Sequence, residues 1–450
     1  MSPRTLARLL SAGLLVVGVV AGSAGPAAAH ANLVGTEPGY GTVVAPDTRR
    51  VLIRYDLPVE VKGAQISLER SGRPLKVGRP TYASPDHKDV SVPLPPLAPG
   101  SHVLTWFLFG SDGDVMGAEL AFSVPSAAGS APTTAPSPSN AEAGPPPAGQ
   151  RAFAPLARAQ DAARLMASAS LVVLVGGVAF VALLWPAGAR LRRTRVLLWV
   201  ALGGALVANA GALGLKGAAV QGQSALAAFS PAALSALNGT HVGRVLLARL
   251  GFLLLAVPLT VFLTRAPDRA VRSHRWYFGM AVSSLGALVT HGLLSHGYAR
   301  GGLASVANVV HLGAVAVWLG GLAVLALVVL PRRRADELSF LVPWFSRLAF
   351  VSVATAVVAG IALLLLISPR WSALPGSGYG RFLLLKLALV VVLLAAASRA
   401  RGFVRKRLPG VTTDGAVGLQ PFVTAVTAEV CIAASILSAT AILVGRPPPA

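Results

Sequence analysis

Residues 303–330 read LASVANVVHLGAVAVWLGGLAVLALVVL, and PRRR follows at 331–334. The run holds 28 residues and no Lys, Arg, Asp or Glu. As an α-helix it would rise about 42 Å. That exceeds the ~30 Å hydrocarbon thickness of a bilayer. The arginines behind it mark one side of a membrane. This one segment sets the class of most of the chain: an α-helical polytopic membrane domain.

Seven more apolar segments have the same character, near 163–186, 196–220, 242–264, 276–297, 344–367, 381–398 and 421–445. With 303–330 they predict about eight transmembrane helices. The composition agrees: the 450 residues are 54% hydrophobic and only 12% charged. The connections carry an orientation signal. Arg190, Arg192, Arg193 and Arg195 follow the first span, and Arg265, Arg269, Arg272 and Arg275 follow the third. Arg332, Arg333 and Arg334 follow the fifth; Arg399, Arg401, Arg405, Lys406 and Arg407 follow the seventh. The intervening loops are nearly bare, and 221–240 has no Lys or Arg. Basic loops stay in the cytoplasm, so both chain ends are expected outside it. The net charge of +22 is then mostly an orientation signal, and nucleic acid is not an expected partner. Gly-Lys never occurs, so there is no P-loop, and no Cys-x-x-Cys metal motif exists around the lone Cys431.

The segment before the first span is different. Residues 1–29 have the layout of a secretory signal: Arg4 and Arg8, an apolar run from Leu9, and small residues ending in Ala27-Ala28-Ala29. Cleavage there would make His30 the mature N-terminus. Its α-amine and imidazole could then chelate copper(II), which favours tetragonal nitrogen and oxygen sites. Residues 30–125 hold short alternating runs, such as Arg50–Tyr55, Val90–Leu94 and Glu119–Val124, separated by Gly and Pro. That pattern predicts an all-β sandwich or barrel. Residues 126–160 are rich in Pro, Ala and Ser and read as a linker. The membrane domain is expected over 161–447. In the β segment the turn Ser111-Asp112-Gly113-Asp114 offers two carboxylates, two residues apart, that can converge on a cation.

His30-Ala31-Asn32-Leu33 with Glu37-Pro38-Gly39-Tyr40-Gly41 resembles the opening of the CopC family of exported copper-binding proteins. Trp106 followed by Asp112 resembles that family's closing signature, Trp-x5-Asp-x-His. The resemblance implies a small Greek-key, Ig-like β-sandwich. It also implies a copper(II) site built from the N-terminal His and the Asp and His of the closing signature. His30 and Asp112 match; Asp114 stands where the family has its second histidine. An aspartate can ligate copper through oxygen, and losing the imidazole would loosen the site. His87 and His102 are possible replacements. The Met-rich copper(I) segment of some relatives is absent, with only Met116 beside the turn.

His311 through Gly321 resembles the His-x6-Trp-x-Gly-Gly segment of the CopD family of inner-membrane copper proteins. Phe345–Ala349, Tyr379–Lys386, Glu429 and Val444–Pro447 resemble the same family. The chain thus resembles a CopC–CopD fusion. Intramembrane ionisable residues are functional candidates. His241, His291, His296 and His311 fall toward the outer half. Of these, His291, His296 and His311 are candidate metal ligands in the membrane, for copper(I) or copper(II). His241, Glu429 and Lys386 are further transport candidates. Met166, Met280 and Cys431 could serve soft copper(I).

Three functions fit this pattern. The leading one is copper binding at the extracytoplasmic face of the plasma membrane and copper import, with a role in homeostasis and resistance. No catalytic residue is identified and no enzyme is expected. The expected partners are copper ion, the lipid membrane and extracytoplasmic copper chaperones. The alternatives are a haem-binding electron carrier with paired histidines, or a copper-donating assembly factor that transports nothing.

Overall fold

A computed structural model describes residues 33–110, 113–125, 154–294, 302–332, 334–367, 380–381, 383–393, 395, 432 and 435–436. The β segment folds as two four-stranded antiparallel sheets, ordered β1-β2-β6-β5 and β4-β3-β7-β8. The strands are β1 (Leu33–Glu37), β2 (Arg50–Tyr55), β3 (Val59–Arg70), β4 (Arg73–Leu75), β5 (Thr81–Tyr82), β6 (Asp89–Pro93), β7 (Gly100–Gly110) and β8 (Val115–Val124). Period-two alternation places Val51, Ile53 and Tyr55 of β2 on the buried face, with Val90 and Val92 of β6 beside them. Leu68, Leu104, Trp106, Leu120 and Phe122 of the other sheet close the core. Trp106 is fully buried, and its indole N–H donates to the Tyr55 hydroxyl at 2.8 Å, pinning one sheet to the other. Burial pushes the Tyr55 phenol well above its usual range and keeps it protonated. The predicted sandwich is present.

The helical part contains α1 (Ala154–Leu183), α2 (Arg192–Val220), α3 (His241–Arg265), α4 (His274–Gly292), α5 (Gly302–Val324), α6 (Ala335–Ile367) and α7 (Leu383–Leu393). A π turn (Leu325–Val329) and a 3₁₀ turn carry α5 on to Arg332. Among the described residues five helices are long and apolar enough to cross a membrane: α1, α2, α3, α6, and α5 with its extension. Of the eight spans expected, α4 is a 19-residue helix outside that group, and α7 is a shorter apolar helix. The segment 421–445 lies almost wholly outside the described residues. The first helix begins at Ala154, inside the stretch read as linker.

Small residues set the helix packing. A Cβ on Gly176 of α1 would fall 2.7 Å from the Gly320 Cα of α5, so the two backbones touch. A Cβ on Gly321 would strike the Phe345 ring of α6 at 2.5 Å. The Gly-Gly pair that follows Trp318 is therefore a packing device. Trp318, Leu319 and Leu322 fill the same cluster with Phe180 and Phe345.

The two ends of the bundle are chemically distinct. At one end Arg190, after α1, pairs with Asp268, after α3, at 2.5 Å. Arg332, after α5, stands over the Trp185 ring at 5.9 Å and pairs with Glu337 at 2.8 Å. These are the arginine-rich connections. The β-sandwich sits on the opposite end.

Candidate functional site

The hairpin tip between β7 and β8 is seated directly on the bundle. Its sequence requires a tight reversal: Gly113 has φ +80°, and its N–H donates to the Gly110 carbonyl at 2.9 Å. Gly113 approaches so closely that an added Cβ would lie 3.0 Å from Leu294, just after α4, and 3.4 Å from Val242 of α3. Lys216 of α2 donates to the Gly113 carbonyl. Phe109, fully buried, joins Val220, Leu237, Val242 and Leu246 in one apolar cluster that spans both domains.

Asp114 is the electrostatic centre of this contact. Its Oδ1 accepts from Arg164 of α1 at 2.8 Å and from Lys216 at 3.0 Å. The Asp114 side chain is 9% exposed, against 22% for Arg164 and 13% for Lys216. A carboxylate so enclosed is stabilised by its two cations, and a metal ion approaching Oδ1 must compete with both. Arg164 and Lys216 escaped the sequence reading; the available signal was a charge set inside the bare end of an apolar run.

A second contact lies one strand over. The Glu60 carboxylate of β3 accepts the His241 backbone N–H at 2.8 and 3.0 Å, capping α3 beside the Thr240 hydroxyl. Burial raises the Glu60 pKa; His241, Arg244 and Lys62 pull it the other way. Gly63, at φ +83°, lets the strand pass the Ala236 carbonyl, which an added Cβ would meet at 2.8 Å. His241 is thus placed at the junction, through its backbone.

The other candidates are distributed as follows. His30 and Asp112 lie outside the described residues, as do His296, Glu429 and Cys431. The registers nevertheless show which end of the sandwich their chain neighbours occupy. Leu33, three residues after His30, pairs with Tyr55, whose N–H donates to the Lys88 carbonyl at 3.0 Å. Val59 pairs with Gly110 at the hairpin tip and donates to the His87 carbonyl at 2.9 Å. His87 therefore shares the end with the tip, exposed and stacked on Tyr82 at 3.9 Å. His102 belongs to the far end of β7, paired with Arg70 and stacked on Phe122 at 5.4 Å. It is fully buried, and burial pushes its ring below the usual range.

In the membrane, His291 and His311 occupy different surroundings. Next to His291, the Thr290 carbonyl accepts from Arg249 of α3 at 2.6 Å. The His311 Nδ1 is 2.7 Å from the Ala356 carbonyl of α6. A carbonyl only accepts, so Nδ1 carries a proton, and in the neutral ring Nε2 keeps the lone pair. Gly360 makes room for that ring, 3.1 Å from where a Cβ would stand. Met280 is buried in packing and Met166 is exposed. Among the described residues no three His, Cys, Asp or Glu side chains converge as a metal cluster.

Comparison with known proteins extends this picture. Residues 33–125 match the CopC domain, 156–306 the N-terminal domain of copper resistance protein D-like proteins, and 340–443 copper resistance protein D. A curated relative is the copper resistance protein D of Pseudomonas syringae pv. tomato, 30% identical over 193 residues. That alignment covers 42% of this chain and 62% of the relative's length. Two solved structures are similar over 21% of the chain. One is CopC from Methylosinus trichosporium OB3b, at 25% identity, 94% of its own length and TM-score 0.20. The other is PcoC, a methionine-rich copper resistance protein of Escherichia coli, at 20% identity, 99% of its length and TM-score 0.20. The chain therefore carries a CopC domain at its N-terminal end and copper resistance protein D domains at its C-terminal end.

Proposed function

We propose that this protein binds copper at the extracytoplasmic face of the plasma membrane and passes it inward, contributing to copper resistance and homeostasis. The observation that carries this reading is the seating of Phe109, Gly113 and Asp114, which flank position 112 in sequence, on the helical bundle.

His30 and Asp112 are the proposed copper(II) ligands. Asp114 is available to the metal only in exchange for Arg164 and Lys216, so its main part is to fix the tip. His87 is the better-placed replacement for the missing imidazole, since it shares the tip's end and His102 does not. His291 and His296 would accept the ion next, and the Nε2 lone pair of His311 would continue the route. Lys386 and Glu429 would balance its charge. Copper is cargo here, in either oxidation state in the membrane, and no catalytic step is assigned. Extracytoplasmic copper chaperones are the proposed donors.

Two experiments test the reading. Cell-associated copper at limiting supply is expected to fall when the gene is deleted. Unchanged cell copper with loss of copper from an extracytoplasmic oxidase would replace import by donation. The full-length protein, titrated with copper(II) and followed by electron paramagnetic resonance, is expected to lose the nitrogen-rich signal in His30→Ala. An identical signal in that variant would sink the role given to His30.

A further inference from the structure

The segment between α2 and α3, residues 221–240, reads QGQSALAAFSPAALSALNGT and has no charged side chain. It leaves α2 after Val220 and folds back along that helix. A 3₁₀ turn covers Ala225–Ala227, and a short helix covers Pro231–Ala236. Ser230 caps that helix, its hydroxyl accepting the Ala233 N–H at 3.2 Å. Glycines of α2 mark the path. A Cβ on Gly214 would collide with the Ala228 carbonyl, and one on Gly217 with the Ala233 carbonyl. Leu237 then packs in one cluster with Val220. The chain therefore descends about 9 Å from the end of α2 to Ala228 and climbs back to α3.

The arginines give its depth. Arg195 is the last basic residue at the arginine-rich end of α2, and Gly214 is 19 residues further on. That is about 28 Å of helix, against a hydrocarbon thickness of ~30 Å. Ala228 thus lies at the far hydrocarbon boundary, and any tilt of α2 sets it deeper. The loop suits that depth. The Ala227, Ala228 and Ser230 N–H groups donate to carbonyls within the loop itself, at 3.0, 3.2 and 2.9 Å. Ala228 and Ala233 are buried, whereas Leu226 is 100% exposed and Phe229 64%. A water-facing loop with no charge and its largest apolar side chains outward would be unfavourable. Val200 and Val207, fourteen and seven residues before Gly214 and so on its stripe of α2, are exposed as well. The sandwich does not take the tip of the loop. It meets the other end, with Gly63 against the Ala236 carbonyl and Glu60 on the His241 N–H.

We propose that residues 225–234 form an interfacial foot whose Leu226 and Phe229 side chains insert among lipid acyl chains at the sandwich end of the bundle. The partner is the apolar part of the lipid, since the loop offers no charge to a headgroup phosphate. One segment then touches lipid at 226–229 and carries the sandwich at 236–241, so the membrane surface sets the height of the sandwich's seat. Lipid contact here goes beyond the copper reading and is independent of it.

The test uses the full-length protein in phosphatidylcholine vesicles. Cys431→Ser removes the lone native cysteine, and Leu226→Cys or Phe229→Cys then carries a nitroxide label. Oxygen concentrates among acyl chains, while a polar nickel chelate stays in water. Access to oxygen relative to the chelate is expected to be several-fold higher at both positions than at Lys76→Cys, exposed on the sandwich. It should match that at Leu254→Cys, exposed on α3. A ratio like that of Lys76→Cys puts the loop in water and overturns the proposal. Low access to both reagents puts it against protein, such as a second copy of the chain, and overturns it too. If the labelled variants do not fold, Phe229→Trp in vesicles with brominated acyl chains decides. Quenching beyond that of the wild type supports the foot, and quenching no greater than the wild type's overturns it.

Discussion

The two ends of the helical bundle each hold an arginine–aspartate pair, and the pairs are nearly equal in length. Arg190 and Asp268 meet at 2.5 Å, and Arg164 and Asp114 at 2.8 Å. They differ in solvent. Both members of the first pair are 61% exposed, while Asp114 is 9% exposed. Exposed pairs contribute little, because water already screens the charges. Enclosed pairs matter when broken, because the surviving charge is stranded. Distance alone would rank them the wrong way round. The arginine-rich end carries its pair in solvent; the sandwich end uses its pair to join two domains.

Four substitutions break or sharpen this contrast. Asp114→Ala is expected to have the largest effect, about 3–5 kcal/mol, since it removes the enclosed carboxylate that Arg164 and Lys216 share. Thermal unfolding of the full chain in detergent reads it, and a loss no greater than that of an exposed pair would refute the contrast. Gly63→Val should cost about 1–3 kcal/mol, because a β-branched residue would be forced to φ +83° against the Ala236 carbonyl. Unchanged unfolding would mean that the strand is not held against that loop.

Glu60 tests the same junction through pH. Its folded pKa is raised, so the docked state binds its proton more tightly than the unfolded chain does. Its contribution is therefore most favourable in acid and declines as pH rises through the raised value. Melting temperatures of the wild type minus those of Glu60→Gln, taken from about pH 4 to 8, should fall and then flatten. Parallel curves would show that the Glu60 carboxyl does not sense the junction. Arg190→Ala should be smallest, within about 1 kcal/mol, and should shrink further in high salt. A larger loss would mean that the exposed pair carries weight that its solvent access does not suggest.

Most of the fold was legible in the sequence because each part obeys a single period or length. The alternation in Arg50–Tyr55 fixes which side chains enter the sandwich core, and the residues named by it are buried. Segment 303–330 announces a membrane helix by length alone, and α5 runs through it. The contact between the domains was not legible. It joins Asp114 to Lys216, 102 residues away, and Glu60 to His241, 181 away. No local pattern encodes a partner at that separation. Asp114 shows the consequence. Beside Asp112 its sequence position suggests a metal ligand, yet its neighbours in space are two cations. Arg249 was missed for the opposite reason. A single arginine between Ala248 and Leu250 blends into an apolar run, and its burial, with no carboxylate paired to it among the described residues, is what distinguishes it.

The backbone contact between Gly176 and Gly320 has a mechanical consequence. With no side chain between them, α1 and α5 have nothing to compress at that crossing, and drawing them apart would open a void. Rotation about the crossing leaves the contact intact. Helix α1 carries Arg164 and so moves with the seated sandwich, while α5 carries His311. A rearrangement that keeps this contact while altering the distance between those two sites would turn about this point, as shears turn about their rivet.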